Sequence, residues 1–158
     1  MRMTMGDLKK RPKEIISERE YITIATVGSD GQPWNSPVYA AFDNQYTFYW
    51  GSDKNAQHSK NIAQNNKVFL VIYDSTVRAG EGEGVYVKAI ATLLTDTEEK
   101  DKAHALIQER RSPISYWRRE EFDDKTPLGL YKAVPVDIWI NSDDRKDGHY
   151  IDTRQNAK

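Results

Sequence analysis

The chain has 158 residues, a length typical of one domain, and 23 Lys and Arg against 24 Asp and Glu give it a net charge of −1. It contains no cysteine, which excludes disulfides, thiolate nucleophiles and cysteine metal ligands, and its balanced charge favours neither nucleic acid nor an anionic membrane as a partner. Because no apolar run approaches the ~20 residues that span a bilayer and the first residues lack a secretory apolar stretch, we expect a cytoplasmic protein.

One helix and three strands are predicted in the first third of the chain. The helix is expected over residues 8–20, where Leu8, Ile15 and Ile16 are apolar and Pro12 lies near its first turn or divides it. The strands are rich in β-branched and aromatic residues, are separated by the turn sequences GSDG and DN, and are predicted over 21–27, 32–42 and 45–50.

The rest of the chain alternates short helices with further strands. A helix is expected after Ser52 or Asp53, either of which would cap it, and it should end at Asn65 and Asn66. A nearly continuous apolar run over 68–74 predicts a strand buried on both faces. The remaining elements are predicted as a glycine-containing loop at 75–84, a strand at 85–94, a helix from about Thr97, and a strand at 133–141.

These elements predict a fold of the α+β class. About six strands with two or three short helices fit an antiparallel β-barrel, and no repeat or linker divides residues 1–158 into more than one domain. The tail from about residue 142 is polar, and we expect it to be loosely held.

The best candidate for a binding site is the segment GSDKNAQHSKNI, which follows a strand and begins a helix. Hydroxyls, Lys54, His58, Lys60 and the N–H groups of a helix start could surround one anion such as a phosphate. The same pattern also fits ordinary capping of a helix in a barrel that binds another protein and no cofactor.

The order of these elements resembles the pyridoxamine 5′-phosphate oxidase-like FMN-binding split barrels. The resemblance covers roughly residues 20–94, through the segments QPWNSPVYAAF, YTFYWGSD, HSKNIAQNNKV and FLVIYD, and more loosely the strand around Trp139. It implies an antiparallel split β-barrel that works as a homodimer, with FMN as the cofactor and a small organic molecule as the substrate.

The resemblance also implies which residues contact FMN. The strand carrying Asn35, Ser36, Pro37 and Val38 would border the flavin ring, and Tyr49, Trp50, Gly51 and Ser52 would meet the ribityl chain and phosphate. His58, Ser59 and Lys60 match the small-basic-Lys run of the family, with Lys60 expected at the phosphate. Relatives often carry Arg near Ser36 and at Ser59, so the site here is less positive, and His58 or Lys54 would have to restore the charge.

The second subunit usually completes the pocket in this family. Residues of the loop at 81–85, or Trp117, could come from the partner, although Trp117 equally fits an ordinary packing role. Trp139 is expected in the core or in the dimer interface, and His104 is expected to be structural. The three His residues lie far apart in the sequence without ligand spacing, so no metal site is predicted.

The implied activity is that of an FMN-dependent oxidoreductase, in which the flavin performs the redox chemistry and no side chain is identified as catalytic. Oxidation of pyridoxamine phosphate itself is not expected, since the family's closing Arg-Leu-x-Pro type sequence is replaced here by TRQNAK. The alternatives are a non-catalytic flavin carrier or sensor, or the same barrel binding the deazaflavin F420 or haem, for which His58 is the candidate ligand.

Overall fold

The computed structural model describes residues 5–78, 80–110, 117–142, 145–151 and 153–158. Within these residues the helices are α1 (Met5–Ser17), α2 (Gln57–Gln64) and α3 (Thr97–Arg110), and Arg119–Phe122 form a short 3₁₀ turn. The strands are β1 (Tyr21–Val27), β2 (Pro33–Tyr39), β3 (Ala41–Phe42), β4 (Phe48–Asp53), β5 (Lys67–Tyr73), β6 (Gly84–Leu93), β7 (Leu128–Ser142), β8 (Arg145–Lys146), β9 (His149–Tyr150) and β10 (Thr153–Asn156).

Seven of these strands form one continuous antiparallel sheet in the order β2-β1-β5-β6-β7-β4-β3, and β10 pairs with β7 beside it. The two ends of this order, β2 and β3, are consecutive in the chain and are separated only by Ala40. A sheet whose ends are joined by one residue must curl on itself, which confirms the split-barrel class predicted from the sequence.

The barrel interior is filled by alternate residues of each strand. In β1 these are Ile22, Ile24 and Thr26, all buried, and the same period places the apolar side chains of β5, β6 and β7 inside. Helices α1 and α2 add Ile15, Ile16 and Ile62 to this cluster. Each such apolar side chain contributes about 1.5–3 kcal/mol by leaving water, so this cluster is the main stabilising element of the domain.

A second apolar cluster covers the outside of β4 and β7. Helix α3 and Phe122 pack there against Tyr49 and Leu130. Gly51 leaves the space that Phe122 occupies, because a Cβ at this position would lie 2.9 Å from the Phe122 ring. One side of the barrel wall is therefore buried on both faces.

Most predicted elements are confirmed, with shifts at their ends. The strand at 21–27 and the helix from Thr97 are confirmed, whereas the strand expected at 45–50 begins at Phe48. The Asp43 carboxylate accepts the backbone N–H groups of Gln45 and Thr47 and so holds these residues in a turn. The expectation that β5 is buried on both faces is wrong, since its residues alternate between fully buried and partly exposed.

The predicted capping of α2 by Ser52 or Asp53 is wrong. The helix begins at Gln57, its N-cap is Ala56, and no side chain caps it. Ser52 and Asp53 belong to β4, and the Asp53 carboxylate instead accepts the N–H of Asn55 at 2.7 Å in the connecting turn.

The expectation of a loosely held tail does not hold for residues 153–157. β10 pairs with β7 over four residues, the N–H of Ala157 donates to the carbonyl of Ile138 at 2.8 Å, and Ala157 is buried in the barrel cluster. Residues 153–157 are thus part of the barrel wall, because β7 extends far enough for β10 to pair with its free edge.

Replacing Ala157 with Asp should lower the free energy of unfolding by about 2 kcal/mol or more, because a carboxylate would be buried without a partner. The matched control is Asn156→Asp, an exposed neighbour that keeps its acceptor oxygen for the N–H of Lys158. Urea denaturation measures both variants, and equal, small effects would show that the tail is not packed as described.

Candidate functional site

Helix α2 lies across one end of the barrel and presents different residues to its two sides. On the side of β1, the Asn61 side chain donates to the Thr26 hydroxyl at 3.0 Å, and Gln57 donates to Asn61 at 2.8 Å. Ser59 lies on the other side, because residues two positions apart in a helix point in nearly opposite directions, and Lys60 borders the same cavity as Ser59. The two flanks of α2 therefore border different surfaces.

A cavity of about 450 Å³ opens on the Ser59 flank of α2, at the mouth of the barrel. Its residues come from β4–α2, β6 and β7 and combine polar and apolar groups: Lys54, Ser59, Lys60, Ile62, Ala63, Asn66, Ala91, Thr92, Leu93 and Tyr131. We call it the barrel-mouth cavity. Its size and mixed lining are typical of small-molecule sites.

The Ser59 hydroxyl is the least satisfied polar group of this cavity. Ser59 is only 3% exposed, and its Oγ has no hydrogen-bond partner of good geometry among the described residues. A buried hydroxyl without a partner costs free energy, so such a group is expected where a ligand or water completes the bond.

Tyr131 borders the same cavity and was not singled out from the sequence. Its ring stacks on Trp50 with centroids 5.6 Å apart and an interplanar angle of 13°. Burial raises the pKa of its phenol, and contact with the Ser59 hydroxyl opposes that shift only in part. The sequence-based strand began at residue 133 rather than at Leu128, and Tyr131 therefore lay outside any predicted element.

Lys54 borders the cavity through its side chain, but its ammonium group is committed elsewhere. The Nζ atom donates to the backbone carbonyls of Asp123, Asp124 and Thr126 at 3.3, 3.2 and 2.8 Å. Lys54 consequently cannot supply charge to a ligand without abandoning these carbonyls, and Lys60, which is exposed, is left as the cation that borders the cavity.

His58 and Ser52 form a pair inside the barrel end. Ser52 Oγ and His58 Nε2 are 2.8 Å apart, and His58 is 9% exposed. Burial lowers the pKa of His58, so the neutral imidazole is favoured. The pair connects α2 to β4, and His58 is thus neither a cation nor a free ligand.

The residues expected at the flavin ring lie on β2, away from the barrel-mouth cavity. Asn35 and Pro37 are exposed on the outer face of the sheet, Val38 is in the barrel core, and the Ser36 hydroxyl accepts the indole N–H of Trp34 at 3.0 Å. Among the described strands of the main sheet, β1 alone pairs with β2 along this length.

The strand-end residues expected at the ribityl chain are divided between the two faces of β4. Trp50 lies in the barrel core, where its Nε1 is buried without an acceptor among the described residues. Tyr49 faces α3 and donates its hydroxyl to Asp43 at 3.1 Å, and Gly51 lies under Phe122. Within one chain, Ser52 contacts His58, and Ser59 and Lys60 border one cavity. The structure does not bring all the predicted residues into one pocket.

Trp117 and His104 have packing roles within the described chain. The Trp117 ring packs edge-on against Phe122, and its carbonyl accepts from Gln108 at 3.0 Å, with His104 Nε2 at 3.1 Å. Across the described residues, no group of three His or acidic side chains is placed to hold a metal ion. None of the described helices is both long and apolar enough to cross a membrane.

Comparison with known families agrees with this architecture. The family model for pyridoxamine 5′-phosphate oxidase matches residues 8–138, which is most of the chain. The chain belongs to this family. The match extends from α1 into β7 and includes both the β2 segment and α2, so it confirms the resemblance inferred from the sequence. No curated protein sequence matches the chain.

Solved structures with the same fold carry different cofactors by name. An FAD-binding protein from Mesorhizobium loti has a TM-score of 0.60 at 15% identity, over 83% of this chain and 90% of that one. The haem storage protein HutZ from Vibrio cholerae has 0.67 at 20%, over 81% and 89%. A haem-binding protein from Mycobacterium smegmatis has 0.70 at 14%, over 99% and 60%. At these identities the likeness shows the fold alone.

The neutral state of His58 predicts a pH dependence of stability. In the unfolded chain the imidazole keeps its ordinary pKa of about 6.5, whereas burial lowers the pKa in the folded chain. Protons then bind the unfolded state better, so stability is lost as the pH falls below about 6.5 and the loss is complete below the folded pKa.

We expect the free energy of unfolding to fall between pH 7.5 and 5.5 by up to about 1 kcal/mol more in the natural chain than in His58→Gln. Urea denaturation at the two pH values measures this difference, with exposed His149→Gln as the control. Identical pH dependence in all three proteins would contradict the burial of a neutral His58.

Proposed function

We propose that this protein is an FMN-dependent oxidoreductase that exchanges electrons or hydride with a small organic substrate. The observation that carries the proposal is the barrel-mouth cavity alongside α2, in which Ser59 offers a buried hydroxyl without a good partner among the described residues, beside Lys60. These are the residues that the family resemblance assigns to the cofactor phosphate.

A phosphate fits this position on physical grounds. Helix α2 has no side-chain cap, so the positive end of its dipole is not offset by a capping group. Lys60 supplies a full charge, and the Ser59 hydroxyl can donate to a phosphate oxygen that would complete its missing hydrogen bond. The absence of an Arg at Ser59 makes this a weakly cationic site, which favours reversible binding.

The remaining lining residues support a ligand with an apolar part. Ile62, Ala63, Ala91 and Leu93 provide walls that exclude water from one side of the cavity. Bound FMN would supply the hydride and electron chemistry, so the protein need only bind, orient and shield it. To bind, orient and shield FMN, the protein does not need a substrate-binding residue inside the barrel.

The outer face of the sheet supports a homodimer as the working form. Phe69 and Trp139 stack there at 6.3 Å and remain partly exposed, and Val134 and Val136 are exposed beside them. Lys88 and Asp137 are cross-strand partners on this face, so two copies related by a two-fold axis could pair these charges across the contact.

The pairing register joins this outer face to the residues expected at the flavin ring. Asn35 pairs with Ala25, Ala25 with Phe69, Phe69 with Lys88, and Lys88 with Asp137, and cross-strand partners share one face. The ring-binding surface proposed for β2 would therefore lie at the rim of the proposed dimer contact. A site shared by two subunits explains why one chain does not assemble all the predicted residues.

Haem is the second candidate, supported by the names of fold relatives that bind or store it. His58 is a poor axial ligand because its Nε2 lies 2.8 Å from Ser52 Oγ inside the barrel. Haem would therefore need a different ligand from the one that the sequence suggested.

Visible absorption of the purified protein, before and after FMN is added and washed away, tests the cofactor. A persistent two-band flavin spectrum and an NAD(P)H-dependent turnover of an electron acceptor are expected. A Soret band would instead support haem, flavin binding without turnover would support a carrier, and no uptake of FMN would contradict the proposal.

Replacing Lys60 with Ala should weaken FMN binding by about tenfold or more, because the phosphate would lose its cationic partner. The control is Lys10→Ala, which removes the same charge from an exposed position on α1. Fluorescence quenching of free FMN gives the dissociation constants, and equal affinity of the two variants would mean that the phosphate does not bind at Lys60.

Replacing Phe69 with Asp should convert the proposed dimer to a monomer, because a charge would enter the apolar centre of the contact. Val77→Asp, in an exposed loop, is the control. Sedimentation velocity measures the mass, and thermal denaturation verifies that both variants fold. A natural chain that is monomeric at micromolar concentration would contradict this part of the proposal.

A further inference from the structure

The barrel-mouth cavity has a second hydroxyl beside Ser59. Tyr131 lines the cavity from β7, and its phenol contacts the hydroxyl of Ser59 on α2. The contact leaves Ser59 Oγ without a hydrogen bond of good geometry, so the two hydroxyls are neighbours that do not satisfy each other. Both residues are at least nine-tenths buried.

We infer that Ser59 and Tyr131 form a paired-hydroxyl clamp for one phosphate group and that this clamp selects phosphorylated flavin over riboflavin. The inference rests on the proposed function and adds Tyr131, a residue outside the run that the sequence assigned to the phosphate. The neighbouring hydroxyls of Ser59 and Tyr131 would donate side by side, while the exposed Lys60 supplies the charge.

The Tyr131 ring is held in place independently of any ligand. One face of the ring stacks on Trp50, which is completely buried. On another side Gly129 leaves room for it, since a Cβ there would lie 3.3 Å from Tyr131 Cε2 and 2.6 Å from Leu93 Cδ1. A donor fixed by packing loses little conformational entropy when a ligand binds, as specific recognition requires.

The chemistry of the clamp suits a phosphate in a site without Arg. A phenol and an aliphatic hydroxyl are neutral donors, and burial raises the pKa of Tyr131 so that the proton stays on the oxygen at neutral pH. Lys54 cannot replace them, because its ammonium is held by three carbonyls. Discrimination against riboflavin then depends on hydrogen bonds that only the phosphate can accept.

Tyr131→Phe and Ser59→Ala test the clamp, and Tyr21→Phe is the matched control, since it removes an exposed phenol. Dissociation constants for FMN and for riboflavin are measured by fluorescence quenching with each protein. Each clamp variant should bind FMN about tenfold to a hundredfold more weakly and riboflavin within twofold of the natural chain. The control should change neither constant.

Equal weakening of FMN and riboflavin in Tyr131→Phe would overturn the inference, because it would indicate a general packing role for the phenol. Unchanged FMN binding in both clamp variants would overturn it as well. A selective loss for FMN, with the double variant weakened by less than the product of the single effects, supports a shared phosphate contact.

The clamp can be tested even if the natural chain binds no flavin and the proposed function fails. Inorganic phosphate and phenyl phosphate should then raise the thermal unfolding midpoint of the natural chain and of Tyr21→Phe, but not of Tyr131→Phe or Ser59→Ala. A midpoint that phosphate raises equally in all four proteins, or in none, would overturn the clamp. This arm separates failure of the clamp from failure of the flavin assignment.

Discussion

The chain passes from β2 to β3 through one residue, and that passage is the constraint on which the remaining architecture depends. Ala40 is buried, and its N–H donates to the carbonyl of Glu20 at 3.2 Å, while the strands before and after it pair with opposite ends of the sheet order. Because β1 and β4 are thereby drawn together, the sheet closes and acquires an interior. Once the interior exists, its open end must be covered, and α2 occupies it between β1 and β6.

Covering the barrel end with a short polar helix creates both the site and its electrostatic character. Helix α2 buries His58, Ser59, Asn61 and Ile62, so three polar side chains enter a low-dielectric region. Two of them find protein partners, His58 with Ser52 and Asn61 with Thr26, whereas Ser59 meets the Tyr131 phenol without forming a good bond. The proposed phosphate site thus lies where one buried side chain of the helix, Ser59, lacks a good hydrogen bond, and Lys60 gives this site a positive charge.

Local sequence patterns were sufficient to predict the elements whose conformation follows from the preferences of their own residues. The β-branched run of β1 was predicted well because its residues alternate between buried and partly exposed, and the helix after Thr97 because its sequence, TEEKDKAHALIQER, is rich in strong helix formers. The capping of α2 and the tail were predicted wrongly for a common reason. Ser52 is drawn into β4, where it pairs with Gly129 of β7, and residues 153–156 also pair with β7; neither partner is close in sequence.

By itself, the sequence determined the fold class, the family resemblance and the candidate status of Ser59 and Lys60, since these depend on the order of elements and on residues within one local segment. Only the tertiary structure decided that Lys54 is tied to Asp123, Asp124 and Thr126, that His58 is a neutral interior group, and that Tyr131 faces Ser59. Each of these facts joins residues separated by a strand pairing or a loop. The physical reason is that a side chain's charge and partners are set by burial and neighbours, and those are decided when the barrel closes rather than by the adjacent residues.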